Sequence, residues 1–181
     1  AGGAAAADKS GVTPVPRSWS RNAYRDVEIA MGAGSDSLTS LSWSPVSNHI
    51  VLGSWDQTVR AFEVGPGPRG GPTANPVVNT SLGGAVLDVE FNDDGTTVFA
   101  AVADKTVQMW NVQTGAVQQV GAHETAVRSA KWLSGHNLLA TAGWDCMVHY
   151  WDTRASAPAA SVAMPERIYS MSVSKVADFP L

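Results

Sequence analysis

The stretch WDCMVHYWDT, residues 144–153, has two ungapped counterparts, WDQTVRAFEV at 55–64 and ADKTVQMWNV at 103–112. Asp56, Asp104 and Asp145 are separated by 48 and 41 residues, and Phe62, Trp110 and Trp151 repeat both intervals. So do Trp43, Phe91 and Trp132, carried by LTSLSWSP, VLDVEFND and AVRSAKWL. Three anchors that move together define an internal repeat. The longer first interval is accounted for by GPGPRGGPTANP at 65–76. Its four Gly and four Pro predict an inserted loop.

Each unit reads as four short strands. In the second they are expected at 86–91, 97–102, 107–112 and 116–120, with NDDG (92–95) and QTG (113–115) as turns. The runs are rich in Val, Ala, Thr and aromatics, which suit a pleated surface packed on both sides. No helical stripe of 3.6-residue period competes with them. A four-stranded unit of this length is the period of a propeller blade. The expected fold is therefore all-β, with blades at about 36–82, 84–120 and 125–164. DVEIAM (26–31) reads as a solitary outer strand, and RIYSMSVS (167–174) as the inner strand of a fourth blade beginning near 167. Three and a bit blades would leave unpaired edges, so the chain is expected to be a piece of a longer protein or one half of an assembly.

Composition narrows the class further. The chain is 44% hydrophobic and 15% charged, which argues against wholesale disorder. A net charge of −4 gives no sign of a basic nucleic-acid-binding domain. The single cysteine, Cys146, excludes an internal disulfide framework and fits a reducing compartment. No apolar run approaches a membrane span. Residues 1–25 read as a flexible Ala/Gly/Pro tail without the layout of a secretory signal. These features lead to the expectation of a soluble, intracellular protein.

The repeats resemble those of WD-repeat β-propeller proteins, so the fold class implied is a partial WD-repeat propeller spanning 26–181. In that family a His, a Thr, an Asp and a Trp are hydrogen-bonded within one blade. The third unit carries matching residues at His123, Thr141, Asp145 and Trp151, although the family's Gly-His reads Ala-His here. A buried carboxylate needs such partners, and imidazole, indole and hydroxyl groups provide them. The other units depart from the pattern: Ala100 replaces the Thr in the second, with Gly84 near the His position, and Leu52 and Phe62 replace Thr and Trp in the first.

A more specific resemblance runs along most of the chain beyond the tail. GSWD with FEV, DKT, WDTR followed by Pro, and PERIY occur in the order found in the messenger-RNA export factors of the nuclear pore, the Rae/Gle type. The related Bub-type spindle-checkpoint propellers, which bind kinetochore kinases, are the alternative. The resemblance implies a non-catalytic scaffold that binds a GLEBS-type nucleoporin segment and mRNA–protein complexes. It implies a protein of the nucleus and nuclear pore, also present in the cytoplasm, with no cofactor, membrane or small-molecule substrate. Direct RNA binding is a third reading, to be recognised by steep salt dependence.

His123, Thr141 and Asp145 could be read as a hydrolase set, but the Asp recurs in all three units without the other two, which fits a blade-turn residue at Asp56 and Asp104 as well. No nucleophile elbow supports an enzyme. Cys146 and His149 have a metal-like spacing, yet residues three apart on a strand face opposite sides, so no metal site is expected. GPGPRGG lacks the ending of a phosphate loop. The position before the turn Asp holds Trp55, Ala103 and Trp144, and the resemblance places it on the face where peptides dock. Trp is favoured at binding hot spots, so Trp55 and Trp144 are candidate partner-binding residues, with packing against a neighbouring loop as the other reading. Lys105 and Arg167 are candidates for acidic or phosphate contacts.

Overall fold

A computed structural model describes residues 29, 31–32, 35–67 and 71–174. The expected tail at 1–25 lies outside them, as does most of 26–31. Ile29 and Met31 are described, and both pack against Ile50, Leu52 and Phe62.

Among the described residues, twelve strands form three four-stranded antiparallel sheets, each built from strands consecutive in sequence. The first holds β1 (Leu38–Trp43), β2 (His49–Ser54), β3 (Thr58–Pro66) and β4 (Pro72–Ser81). The second holds β5 (Val86–Phe91), β6 (Thr97–Val102), β7 (Thr106–Asn111) and β8 (Val117–Ala122). The third holds β9 (Val127–Leu133), β10 (Leu138–Gly143), β11 (Met147–Trp151) and β12 (Ala160–Ala163). Among the described residues the only helical turn is a 3-10 turn at Ser134–His136, and no helix is long and apolar enough to cross a membrane.

The sheets stack face to face, and the core lies between them. On β6, Val98, Ala100 and Val102 meet Val51, Val59 and Ala61 of the first sheet. The alternate residues Phe99 and Ala101 meet Val127, Ala130 and Leu139 of the third. This two-residue alternation explains why β6 reads as an almost continuous apolar run, since both of its faces are buried. Trp132 of β9 stacks on Phe99, with centroids 5.1 Å apart and planes 14° from parallel. Its counterpart Phe91 is likewise buried against the first sheet. Trp43, the third member of the set, is 52% exposed, and among the described residues no further sheet covers it.

A hydrogen-bonded hub ties the sheets together near their first strands. Asp88 of β5 accepts from Ser40 Oγ of β1 (2.6 Å) and from Ser129 Oγ (2.9 Å), Ala130 N (3.1 Å) and Lys131 Nζ (2.9 Å) of β9. A carboxylate this buried is tolerable because several donors, one of them cationic, converge on it.

One sequence expectation is corrected. The insertion at 65–76 is largely not a loop: Gly65 and Pro66 continue β3, and Pro72–Pro76 form the start of β4, paired as far as Pro66↔Pro72. A bulge at Ala61/Phe62 absorbs the odd residue. The prolines are tolerated because β4 is an outer strand with a ladder on one side only. Residues 167–174, expected as the inner strand of a fourth blade, carry no strand among the described residues. A strand needs a ladder partner, and none faces this segment among the described residues. Instead, Ile168 N–H donates to Gly143 O at 3.4 Å.

Candidate functional site

The three repeats turn on the same device. After β2, β6 and β10, a turn aspartate accepts the backbone N–H two residues on: Asp56 from Thr58 (3.0 Å), Asp104 from Thr106 (2.9 Å), Asp145 from Met147 (3.1 Å). The residue between adopts a left-handed backbone in every case, with φ of 71° at Gln57, 82° at Lys105 and 65° at Cys146. The side-chain bond offsets the strain of placing non-glycine residues there.

Beyond that shared turn the blades diverge, and the third builds a closed relay. Trp151 Nε1 donates to Thr141 Oγ at 2.7 Å, and Thr141 Oγ lies 2.8 Å from His123 Nε2. His123 Nδ1 lies 3.0 and 3.1 Å from the two oxygens of Asp145. An indole N–H can only donate, so it occupies a lone pair of the Thr141 hydroxyl and leaves that proton for His123 Nε2. His123 then donates the N–H of Nδ1 in a hydrogen bond to Asp145. Glu124 N–H adds a further bond to Asp145 at 3.0 Å. Burial pushes the Asp145 carboxyl up, but the hydrogen bonds from His123 and from the backbone of Glu124 and Met147 outweigh it, and the group sits below the ordinary carboxylate range.

The first two blades lack the relay in different ways. In the first, Leu52 and Phe62 form an apolar pair, and Asp56 is held by Thr58 Oγ and Arg60 instead, each at 2.5 Å. In the second, Ala100 offers Trp110 no hydroxyl, and the buried indole nitrogen of Trp110 has no hydrogen-bond partner. The four residues implied for the third blade are therefore brought together, and with both His123 nitrogens engaged and Thr141 fully buried, they form a hydrogen-bond lock.

His149 joins them unforeseen. Its ring centroid lies 4.4 Å from that of His123 and 5.4 Å from that of Trp151, and its Nδ1 is 2.7 Å from Ser161 Oγ of β12. Burial and the adjacent His123 lower its pKa, against the pull of Asp145. His123, Asp145 and His149 each place a ligand-type atom within 4.8 Å of the others, a set that does not include Cys146. The even spacing of 145, 149 and 151 was the available signal, because even-spaced positions share a strand face.

The candidate partner residues differ in availability. Trp55 and Trp144 anchor equivalent turns through their backbone N–H, to Ser37 O (3.0 Å) and Ala126 O (3.1 Å). Trp55 leaves 49% of its surface in solvent. Trp144 is half-buried, its ring 6.2 Å from that of Tyr169 and its indole nitrogen buried without a partner. Tyr169 itself is 62% exposed, so Trp144 and Tyr169 together form a partly open aromatic ledge. Lys105 and Arg167 are exposed. Asp88 was missed by sequence reasoning, although Ser40, Asp88 and Ser129 fall on the same 48- and 41-residue intervals as the anchors.

Sheets of this length that each pivot on an aspartate define the WD-repeat class of propeller. Residues 29–63, 77–111 and 115–152 match the WD domain, G-beta repeat family, and the chain belongs to it. Within that family it is similar to the Rae/Gle type of mRNA export protein. It is 38% identical to Protein Rae1 of Drosophila melanogaster over 159 residues, covering 85% of this chain and 44% of that protein. It is 36% identical to the Poly(A)+ RNA export protein of Schizosaccharomyces pombe over 157 residues, covering 81% of this chain and 41% of the relative. With the mRNA export factor GLE2 of Chaetomium thermophilum it shares 34% identity over 157 residues, 83% of this chain and 42% of the relative. The chain thus spans less than half the length of these relatives.

Proposed function

We propose that this chain belongs to a non-catalytic interaction scaffold that serves mRNA export from the nucleus. Its ligand is a GLEBS-type nucleoporin segment, through which it brings mRNA–protein complexes to the nuclear pore. The observation that carries this reading is the similarity to Rae1 and to the two other RNA export proteins over more than four fifths of the chain. The architecture suits the role, because rigid stacked sheets hold exposed side chains in fixed positions while an extended partner orders on them. Trp55 and the Trp144–Tyr169 ledge supply aromatic anchors of the kind that dominate peptide interfaces. Lys105 and Arg167 supply positive charge for an acidic segment.

The reading is tested by fluorescence-anisotropy titration of a GLEBS peptide and its scrambled control, with the protein and its Trp55→Ala variant. Saturable binding of the native peptide alone, weakened about tenfold or more by the variant, is the expected result. Equal binding of both peptides would overturn it.

A further inference from the structure

The third blade contains more chemistry than its hydrogen-bond lock requires. Asp145, His123 and Thr141 account for the lock together with Trp151, whereas His149 stands outside that relay and still lies against it. The equivalent positions in the other blades hold Arg60, which pairs with Asp56, and Gln108, which bonds Leu82 O. Only the third repeat places a second imidazole beside the turn carboxylate.

We propose that His123, Asp145 and His149 form a binding site for a divalent transition-metal ion of the zinc class. Two imidazoles and one carboxylate are the donor set that such ions select, and three protein ligands leave a further position for water. Hard cations that prefer all-oxygen cages fit it poorly. The donor atoms lie within 4.8 Å of one another, so modest side-chain movement closes them around an ion with bonds of about 2.0–2.2 Å.

The surroundings supply an orienting group for each ring. Ser161 Oγ sits 2.7 Å from His149 Nδ1, which leaves Nε2 as the ligand atom when Nδ1 carries the proton. Thr141 Oγ sits 2.8 Å from His123 Nε2. When an ion takes His123 Nδ1, the proton of that nitrogen transfers to Nε2, and Thr141 changes from donor to acceptor. Hydroxyl partners of this kind fix the tautomer and orientation of ligating histidines. The backbone bonds from Glu124 and Met147 hold the carboxylate in place on its other lone pairs. An ion there would cross-link the loop after β8, the β10–β11 turn and strand β11.

The experiment uses cobalt(II) as a spectroscopic probe with zinc(II) as competitor, on the protein, His149→Gln and Ser161→Ala. The expected result is a saturable visible d–d spectrum at one equivalent, displaced by zinc and accompanied by a rise in melting temperature. His149→Gln abolishes the spectrum, and Ser161→Ala weakens binding by about tenfold. Metal-free melting and near-ultraviolet circular dichroism of His149→Gln establish that the lock survives the substitution. If that variant does not fold, Ser161→Ala alone decides the matter by its loss or retention of affinity. Absence of a saturable spectrum, or one unchanged in the folded variants, overturns the proposal. Neither outcome bears on peptide binding.

Discussion

Trp151 donates its indole N–H to Thr141 Oγ at 2.7 Å, while the equivalent indole of Trp110, in one core cluster with Ala100, is buried with no acceptor among the described residues. The two blades thus form an internal experiment on one hydrogen bond. A buried donor left unsatisfied costs about 1–3 kcal/mol. Ala100→Ser, which adds one oxygen where the third blade has a hydroxyl, is expected to raise stability by about 1 kcal/mol in urea titration. Thr141→Ala, which strips both Trp151 and His123 of a partner, is expected to lower it by about 1–3 kcal/mol. A loss of stability in the serine variant would show that the Trp110 nitrogen is already satisfied by solvent.

Asp145 and Asp152 look alike in the sequence, each following a tryptophan, yet they do different work. Asp145 accepts from His123, Glu124 and Met147 in a nearly buried site. Asp152 pairs with Arg154 at 2.7 Å, an exposed ion pair of the sort that adds little. Asp145→Ala is expected to cost about 2–4 kcal/mol, since it leaves buried donors and an imidazole unpaired. Asp152→Ala is expected to melt with the parent protein. Equal shifts in the two melting curves would refute the assignment.

Much of this arrangement was legible in the chain before any coordinates. The anchors Asp56, Asp104 and Asp145 marked the turns because a carboxylate that accepts the N–H two residues on stabilises a non-glycine residue in the left-handed position between them. The expected strands of the second repeat differ from β5–β8 by at most two residues at any end, since alternating apolar residues and turn signals agree there. Asp88 was legible only through the 48- and 41-residue intervals that relate it to Ser40 and Ser129, because one acid in VLDVEF reads as a solvent-facing residue until the neighbouring sheets bring those hydroxyls to it. The Gly/Pro-rich arm at 65–76 misled because composition signals a turn without saying how far the flanking strands extend. His149 is hidden in the sequence because Cys146, at a metal-like spacing three residues away, reads as facing the opposite side of the strand, whereas its spatial partner Asp145 lies four residues away.

Gly121 of β8 lies beneath the ring of Trp151, so close that a Cβ there would overlap the indole carbons. The contact joins the second sheet to the third, and the ring it fixes also reaches Thr141. Gly121→Ala is therefore expected to displace Trp151, lengthen its bond to Thr141 and cost about 3 kcal/mol, at the upper end for overpacking. A changed near-ultraviolet circular dichroism signal should accompany the lower melting temperature. A variant with parental stability and an unaltered spectrum would mean that the two sheets can part at this point without loss.

Asp56 provides the test of acid sensitivity. Burial raises its pKa, but hydrogen bonds from Thr58 and Arg60 prevail, with the Arg60 charge adding to them, and the carboxyl is held at about 2 against 3.8 for an ordinary aspartate. Because the folded value is the lower one, the unfolded chain binds the proton more readily. The stabilisation is complete above pH 3.8 and is lost as the pH falls from there through about 2. Discounted for the partial exposure of the pair, it amounts to about 1–2 kcal/mol. Asp56→Asn is expected to lower stability at neutral pH and to flatten the acid limb of a urea-denaturation series over that window. Parallel acid limbs for the variant and the parent protein would place the titrating group elsewhere and leave the Arg60–Asp56 pair without a measurable role in folding.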